Sequence, residues 1–170
     1  YQEQRLFGFL NPSSDPQGAT YNIHQSLIAI GSGEKTGRGV NATQTTQGFL
    51  SANDTDFVFA SVGETYGFVG GAILLSLYAL LIWRTLRILT MAKNLFGTLI
   101  AGGILAMLMF QIFVNVGMTI GIMPITGVPL PLLSYGGSSV IVTFIAIGLL
   151  QSIHIQARMA AAGKSRALLS

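Results

Sequence analysis

Residues 66–83 read YGFVGGAILLSLYALLIW, eighteen consecutive uncharged and mostly apolar residues. As a helix rising about 1.5 Å per residue the run spans roughly 27 Å, close to the ~30 Å hydrocarbon core of a bilayer. The apolar start at Phe57 extends it. Two further uncharged runs, residues 95–116 and 132–150, reach about 33 and 28 Å on the same arithmetic. The sequence therefore predicts an all-α polytopic membrane protein with three spanning helices at about 57–83, 95–116 and 132–153. Composition agrees: of 170 residues 51% are hydrophobic and only 9% charged, against roughly a quarter charged in a soluble domain.

Charge placement orients these helices. All six acids (Glu3, Asp15, Glu34, Asp54, Asp56, Glu64) fall in the first 64 residues with only Arg5, Lys35 and Arg38, so that segment carries −3. The rest holds Arg84, Arg87, Lys93, Arg158, Lys164 and Arg166 and no acid. Short basic loops stay on the cytoplasmic side. The basic connection at 84–93 and the tail 154–170 are thus expected inside, and residues 1–64 outside. There is no cysteine, which excludes disulfides and thiolate chemistry. The chain opens at Tyr1 without a signal-like segment, so it reads as a piece of a longer protein.

Polar and small residues interrupt the spans: Gly102, Gly103, Gln111 and Asn115 in the second, Gly136, Gly137, Ser138 and Ser139 in the third. Small residues let helices approach and amides bond across them. Packing is the plain reading; a substrate groove is the alternative. Residues 121–139, GIMPITGVPLPLLSYGGSS, carry Pro124, Pro129 and Pro131. Prolines lack amide donors, so the stretch runs irregularly near membrane depth, where such backbone is tolerated only inside protein or beside a wet cavity. It is a candidate wall of a site.

In the outward segment, Asn11-Pro12 and Asp15 to Gly18 signal turns. Ile23, Leu27 and Ile30 recur at helical spacing before Gly31 and Gly33, predicting a short amphipathic helix. GSGEKTG is no phosphate loop, because Glu34 stands where a glycine belongs. His24 and His154 fall on opposite expected sides and cannot share a metal. Asn41-Ala42-Thr43 and Asn53-Asp54-Thr55 fit the glycosylation pattern and receive no role. Asp54-Thr55-Asp56 precedes the first span and has two readings. Thr55 or Asp56 caps the helix, or a carboxylate at the outer surface takes a proton from a substrate hydroxyl while Lys35 and Arg38 offset an anionic leaving group. Glu64 lies about two turns further along the same helix, an ionisable group at a depth where such groups mark sites.

Four segments carry a resemblance: YQEQRLFGFLNPSSDPQGATYN, QSLIAIGSG with GRG after it, TDFVFASVGETYGFVGG, and NVGMTIGIMPITGVPLPLLSYGGSS. In this order, from Tyr1 to about Ile153, they resemble the C-terminal half of the SEDS family (shape, elongation, division and sporulation). The resemblance implies a roughly ten-helix fold of which this chain is the large extracytoplasmic loop and the last three helices. It implies a bacterial cytoplasmic-membrane enzyme that polymerises lipid II into peptidoglycan strands beside a class B penicillin-binding protein. Its ligands would be lipid II, undecaprenyl-pyrophosphate-linked glycan and membrane lipid, with no nucleic acid.

By the same resemblance Asp56, in Thr55-Asp56-Phe57, is the catalytic aspartate. Arg38, Lys35, Glu64, Gln25 at the head of QSLIAIGSG, and Pro129, Ser134, Gly136 and Gly137 of the proline-rich motif are the substrate-binding candidates. Asp56 would deprotonate a sugar hydroxyl of the acceptor, whose oxygen attacks the anomeric carbon with inversion as undecaprenyl pyrophosphate leaves. A divalent cation (Mg2+ or Mn2+) is an alternative offset for the phosphates, with Asp56 as its ligand. Ser51 and Ala52 replace the family's Pro-Glu, and Thr65 its second glutamate. Asn11-Pro12, Tyr21-Asn22 and residues 118–121 look more like the RodA branch than the FtsW branch. A lipid II transporter and a non-catalytic scaffold for cell-wall enzymes are the competing readings.

Overall fold

The computed structural model describes residues 19–39 and 56–167, with side chains for 21–39 and 56–160. The described residues form four helices and no strand: α1 (Ala19–Ser32), α2 (Val58–Met91), α3 (Leu95–Thr119) and α4 (Gly137–Ala167). α2, α3 and residues Gly137–Ala160 of α4 are each long and apolar enough to cross a membrane. The turns at 11–18, Asp54-Thr55, Ser51, Ala52 and the two asparagine tripeptides lie outside the described residues.

Each long helix is apolar nearly all round and buries a narrow seam. In α3 the seam is Ala101, Ile104, Leu108, Ile112, Asn115 and Thr119; in α2 it is Glu64, Gly67, Gly71, Tyr78 and Thr85. These intervals of three, four and seven residues are those of near-parallel helix packing. Ala101, Ile104 and Leu108 meet Ala146 and Leu150 of α4, with Leu81 and Ile88 of α2 against them. Nearer the other end Phe59, Tyr78, Ile112 and Leu130 form a second cluster. The outward faces keep Phe68, Phe96 and Phe113 exposed, as a lipid-facing surface requires.

Helix ends depart from the expected spans. α2 runs on to Met91, so Arg84 and Arg87 are helical and the connection shrinks to residues 92–94; nothing from 84 to 91 breaks a helix. The third helix starts at Gly137 rather than 132, because Leu130 and Ser134 close a turn with Leu132 at φ 66°. It passes position 153 to reach Ala167 through the helix-favouring stretch 155–162. α3 ends in a Schellman motif: Ile122 N–H donates to Gly117 O, Gly121 N–H to Met118 O, and Gly121 takes φ 75°. α1 forms as expected, with Ile23 and Ile30 packed against Ala29, Phe57, Ala60, Met118 and Ile125. Ser26, Ala29 and Gly33 are buried while Leu27 is 42% exposed, since small residues permit the closer approach.

A buried bond from α2 helps anchor the proline-rich segment to the bundle: Tyr78 OH donates to Pro131 O at 2.6 Å. Tyr78→Phe is expected to cost the full-length protein about 1 kcal/mol of stability, read as a lower thermal midpoint in detergent.

Candidate functional site

The site begins with an interruption. Within α2, Gly67 takes φ 65° and ψ −161°, a region essentially open to glycine alone. An unbroken helix would send Phe68 and Val69 N–H to the carbonyls of Glu64 and Thr65. Here Phe68 N–H donates to Glu34 O (2.9 Å) and Val69 N–H to Lys35 O (3.2 Å), while Glu64 O accepts from Arg38 N–H (2.9 Å). The loop after α1 is spliced into the break and supplies the missing partners, which is how irregular backbone survives in an apolar surround. Glycines make the splice possible. A Cβ on Gly33 would run into the Gly63 carbonyl, and one on Gly37 (φ 83°) into the Thr65 carbonyl.

Asp56 stands one residue before the N-cap of α2, which is Phe57. Ala60 and Ser61 N–H bond to Phe57 O, and among the described residues no amide bonds to the Asp56 carboxylate. The capping reading therefore fails for Asp56, and its side chain is not consumed by the helix. Its main chain is fixed instead. Asn115, fully buried in α3, donates through one nitrogen to Asp56 O (2.9 Å) and to Val128 O (2.8 Å); both partners are carbonyls, which assigns the amide orientation. Asn115 thus ties the start of α2 to the proline-rich segment, and Asp56 Oδ2 lies 3.5 Å from where a Cβ of Gly127 would stand. That carbon-free flank leaves room beside the carboxylate.

Lys35 and Arg38 present exposed side chains from the spliced loop. Glu64 is fully buried beside that loop. Pro129 is half-buried next to the Asn115-bound Val128. Ser134 is buried, its Oγ accepting from Leu130 N–H at 2.7 Å, so its hydroxyl holds the turn. Gly136 O accepts from Ser139 Oγ and Val140 N–H at the start of α4, and Gly137 is exposed. Gln25 is half-buried on α1 with its Oε1 buried and unpartnered among the described residues. No ion pair among the described residues joins Asp56 to Lys35 or Arg38. Sequence reasoning gave Asn115 a packing role, with a substrate groove as the alternative, and missed Gly67 as a break. An amide inside an uncharged run was the available signal for the first.

No group of three or more His, Asp or Glu converges among the described residues. A divalent cation at Asp56 would therefore be held by that carboxylate together with substrate phosphates, an arrangement Mg2+ commonly uses.

Replacing Asn115 tests the tie. Asn115→Leu strands the Asp56 and Val128 carbonyls in a buried setting at about 1–3 kcal/mol each. A loss of about 2–6 kcal/mol in unfolding free energy of the full-length protein is expected on that basis, measured by denaturation in detergent.

The family comprising FtsW, RodA and SpoVE, described as cell cycle proteins, matches residues 1–159. Peptidoglycan glycosyltransferase MrdB of Escherichia coli K12 is 50% identical over 94% of this chain and 43% of its own length. Peptidoglycan glycosyltransferase RodA of Treponema pallidum is 52% identical over 91% of this chain and 36% of its own. A solved chain, from a study of how a peptidoglycan synthase complex coordinates polymerization and crosslinking, superposes with a TM-score of 0.71 at 34% identity. The match covers 92% of this chain and 42% of that one. The chain thus spans less than half the length of the relatives it matches.

Proposed function

We propose that this chain, which belongs to the FtsW, RodA and SpoVE family of cell cycle proteins, is the catalytic C-terminal portion of a peptidoglycan glycosyltransferase that polymerises lipid II. The observation that carries the reading is the setting of Asp56: main chain clamped by Asn115, carboxylate unspent on capping and flanked by the open side of Gly127. A carboxylate so held accepts a proton from an acceptor hydroxyl. The freed oxygen attacks the anomeric carbon of the donor, and the pyrophosphate departs with the bonding electrons. Lys35 and Arg38, exposed on the spliced loop, and the positive end of α2 are the groups that offset its charge. A divalent cation is a further candidate for that work.

An apolar groove of about 310 Å³ between α2 and α3, lined by Leu75, Ile112, Phe113, Val116 and Met123 among others, suits a prenyl chain of donor or acceptor. The charge distribution supports an orientation with α1 and Asp56 at the outer surface and the 92–94 connection in the cytoplasm. Relatives named MrdB and RodA, at 50% and 52% identity, support the RodA branch and a role in elongation. The synthase-complex likeness supports a class B penicillin-binding protein as the partner.

One observation favours a second reading. A helix broken at Gly67 and mended by another segment also occurs in transporters. The two are separated with full-length protein and its partner, assaying lipid II polymerisation in detergent and lipid II translocation in vesicles for wild type and Asp56→Asn. Loss of polymer with no translocation in either protein supports the enzyme. Wild-type translocation without polymer supports the transporter and overturns the enzyme.

A further inference from the structure

At the opposite end of the bundle from Asp56, α2 presents Arg84, Arg87, Ile88 and Met91 and α4 presents Gln151, His154 and Arg158 around a cavity of about 500 Å³. The spacings, three, four and seven residues on one helix and three and seven on the other, place each set on a single face. We propose that this cavity binds the headgroup of an anionic phospholipid of the cytoplasmic leaflet. The proposal rests on the orientation argued for the glycosyltransferase reading.

Charge carries the first step. Three guanidinium groups line one cavity, yet the chain has no Asp or Glu after Glu64. Glu64 lies twenty residues before Arg84 on α2, so about 30 Å away along the helix. No carboxylate of this chain's last 106 residues can neutralise the cluster, and gathered cations without counter-charge repel one another. An external anion relieves that repulsion.

Depth carries the second step. The apolar run ends at Trp83, the chain's one tryptophan, which is exposed immediately before Arg84. Tryptophan at the end of a span marks the interface. Arg158, twenty-one residues into α4 from Gly137, lies about 31 Å along that helix and so at the far boundary too. The arginines therefore stand at the level of lipid phosphates.

The lining supplies the rest. Arginine forks bind phosphate oxygens in pairs, Gln151 offers a further amide, and His154 has a buried Nδ1 without a partner among the described residues. Ile88 and Met91 form an apolar wall suited to the glycerol and first acyl carbons. The volume exceeds what a single small ion needs and falls in the range of organic ligand sites. Basic pockets between spanning helices on the cytoplasmic side are a known form of headgroup recognition.

The test uses full-length protein in nanodiscs and native mass spectrometry, with phosphatidylglycerol and phosphatidylcholine as probes. Wild type should retain phosphatidylglycerol preferentially, and its melting temperature should rise with the phosphatidylglycerol fraction. The double variant Arg84→Gln/Arg158→Gln should lose about tenfold or more in retention while polymerising lipid II normally in neutral discs. Equal retention by the variant overturns the site, as does a wild-type melting temperature indifferent to phosphatidylglycerol; the latter needs no variant to fold. An equal rise with inorganic phosphate alone overturns the lipid assignment. Equal destabilisation of the variant in both lipids shows the arginines paired with carboxylates of the upstream half and also overturns it. Lys93→Cys labelled from outside intact cells overturns the leaflet. Failure of the glycosyltransferase reading is distinguishable: wild type would then form no polymer while still retaining phosphatidylglycerol preferentially.

Discussion

Asp56→Asn in the full-length protein is expected to lower lipid II polymerisation by about 10²–10⁴-fold, the span general-base groups typically contribute, with little change in thermal stability. The two halves of that expectation have separate grounds. The amide matches the carboxylate in size but cannot take a proton, so the chemical step loses its acceptor. Stability is spared because what the fold holds at position 56 is the main-chain carbonyl, bound by Asn115 at 2.9 Å, and because no helix amide among the described residues depends on the side chain. Product length on gels and a melting curve on the same preparation check both halves. Wild-type rates from the variant would end the catalytic assignment. A large melting shift would mean that the carboxylate serves the fold. Asp56→Glu discriminates further: it keeps the basicity and displaces it by one methylene, so activity intermediate between wild type and the amide is expected of a positioned base.

The spans were legible in the sequence because eighteen uncharged residues leave a helix little choice in lipid. Their ends were not. Hydropathy reports where the hydrocarbon stops, whereas α2 and α4 continue past it through Arg84, Arg87 and Arg158 on intrinsic helix preference. The start of α4 was hidden by the turn at Leu132, since the run 132–150 is uniformly uncharged whether coiled or helical. Asp56 drew notice as a candidate by motif, but its freedom from capping was not visible, because a carboxylate just before a helix suits a cap equally well. Asn115 could be read as an amide seeking a partner in an apolar helix, but its partners, 59 and 13 residues away, follow only from the packing of α3 against the start of α2 and the proline-rich segment. Gly67 was the least visible. A glycine among apolar residues reads as a packing contact, and nothing local announces that residues 33–38 supply the hydrogen bonds its break leaves open.

Gly67→Ala is the substitution expected to damage the fold most. At φ 65° and ψ −161° an alanine carries about 1–3 kcal/mol of backbone strain. Its Cβ would also collide with Gly37 N and stand 2.8 Å from Gly33 O and Lys35 C. These are main-chain atoms, which cannot swing aside as a side-chain tip can, so relief requires withdrawing the loop. Withdrawal in turn strands Phe68 and Val69 N–H and the Glu64 carbonyl, at about 1–3 kcal/mol for each group left buried and unpaired. The strain alone is a sizeable part of the 5–15 kcal/mol by which folded domains are usually stable. Full-length Gly67→Ala is therefore expected to express poorly or melt far below wild type, and to lose polymerisation, because Lys35 and Arg38 ride on the displaced loop. Gly31→Ala is the matched control: that glycine lies two residues before Gly33, a Cβ there would meet no atom of another segment within 4 Å, and it sits inside α1, where alanine is favoured by up to about 1 kcal/mol. If both variants behaved like wild type, the splice would bear neither on stability nor on the placement of Lys35 and Arg38 beside the Gly67 break.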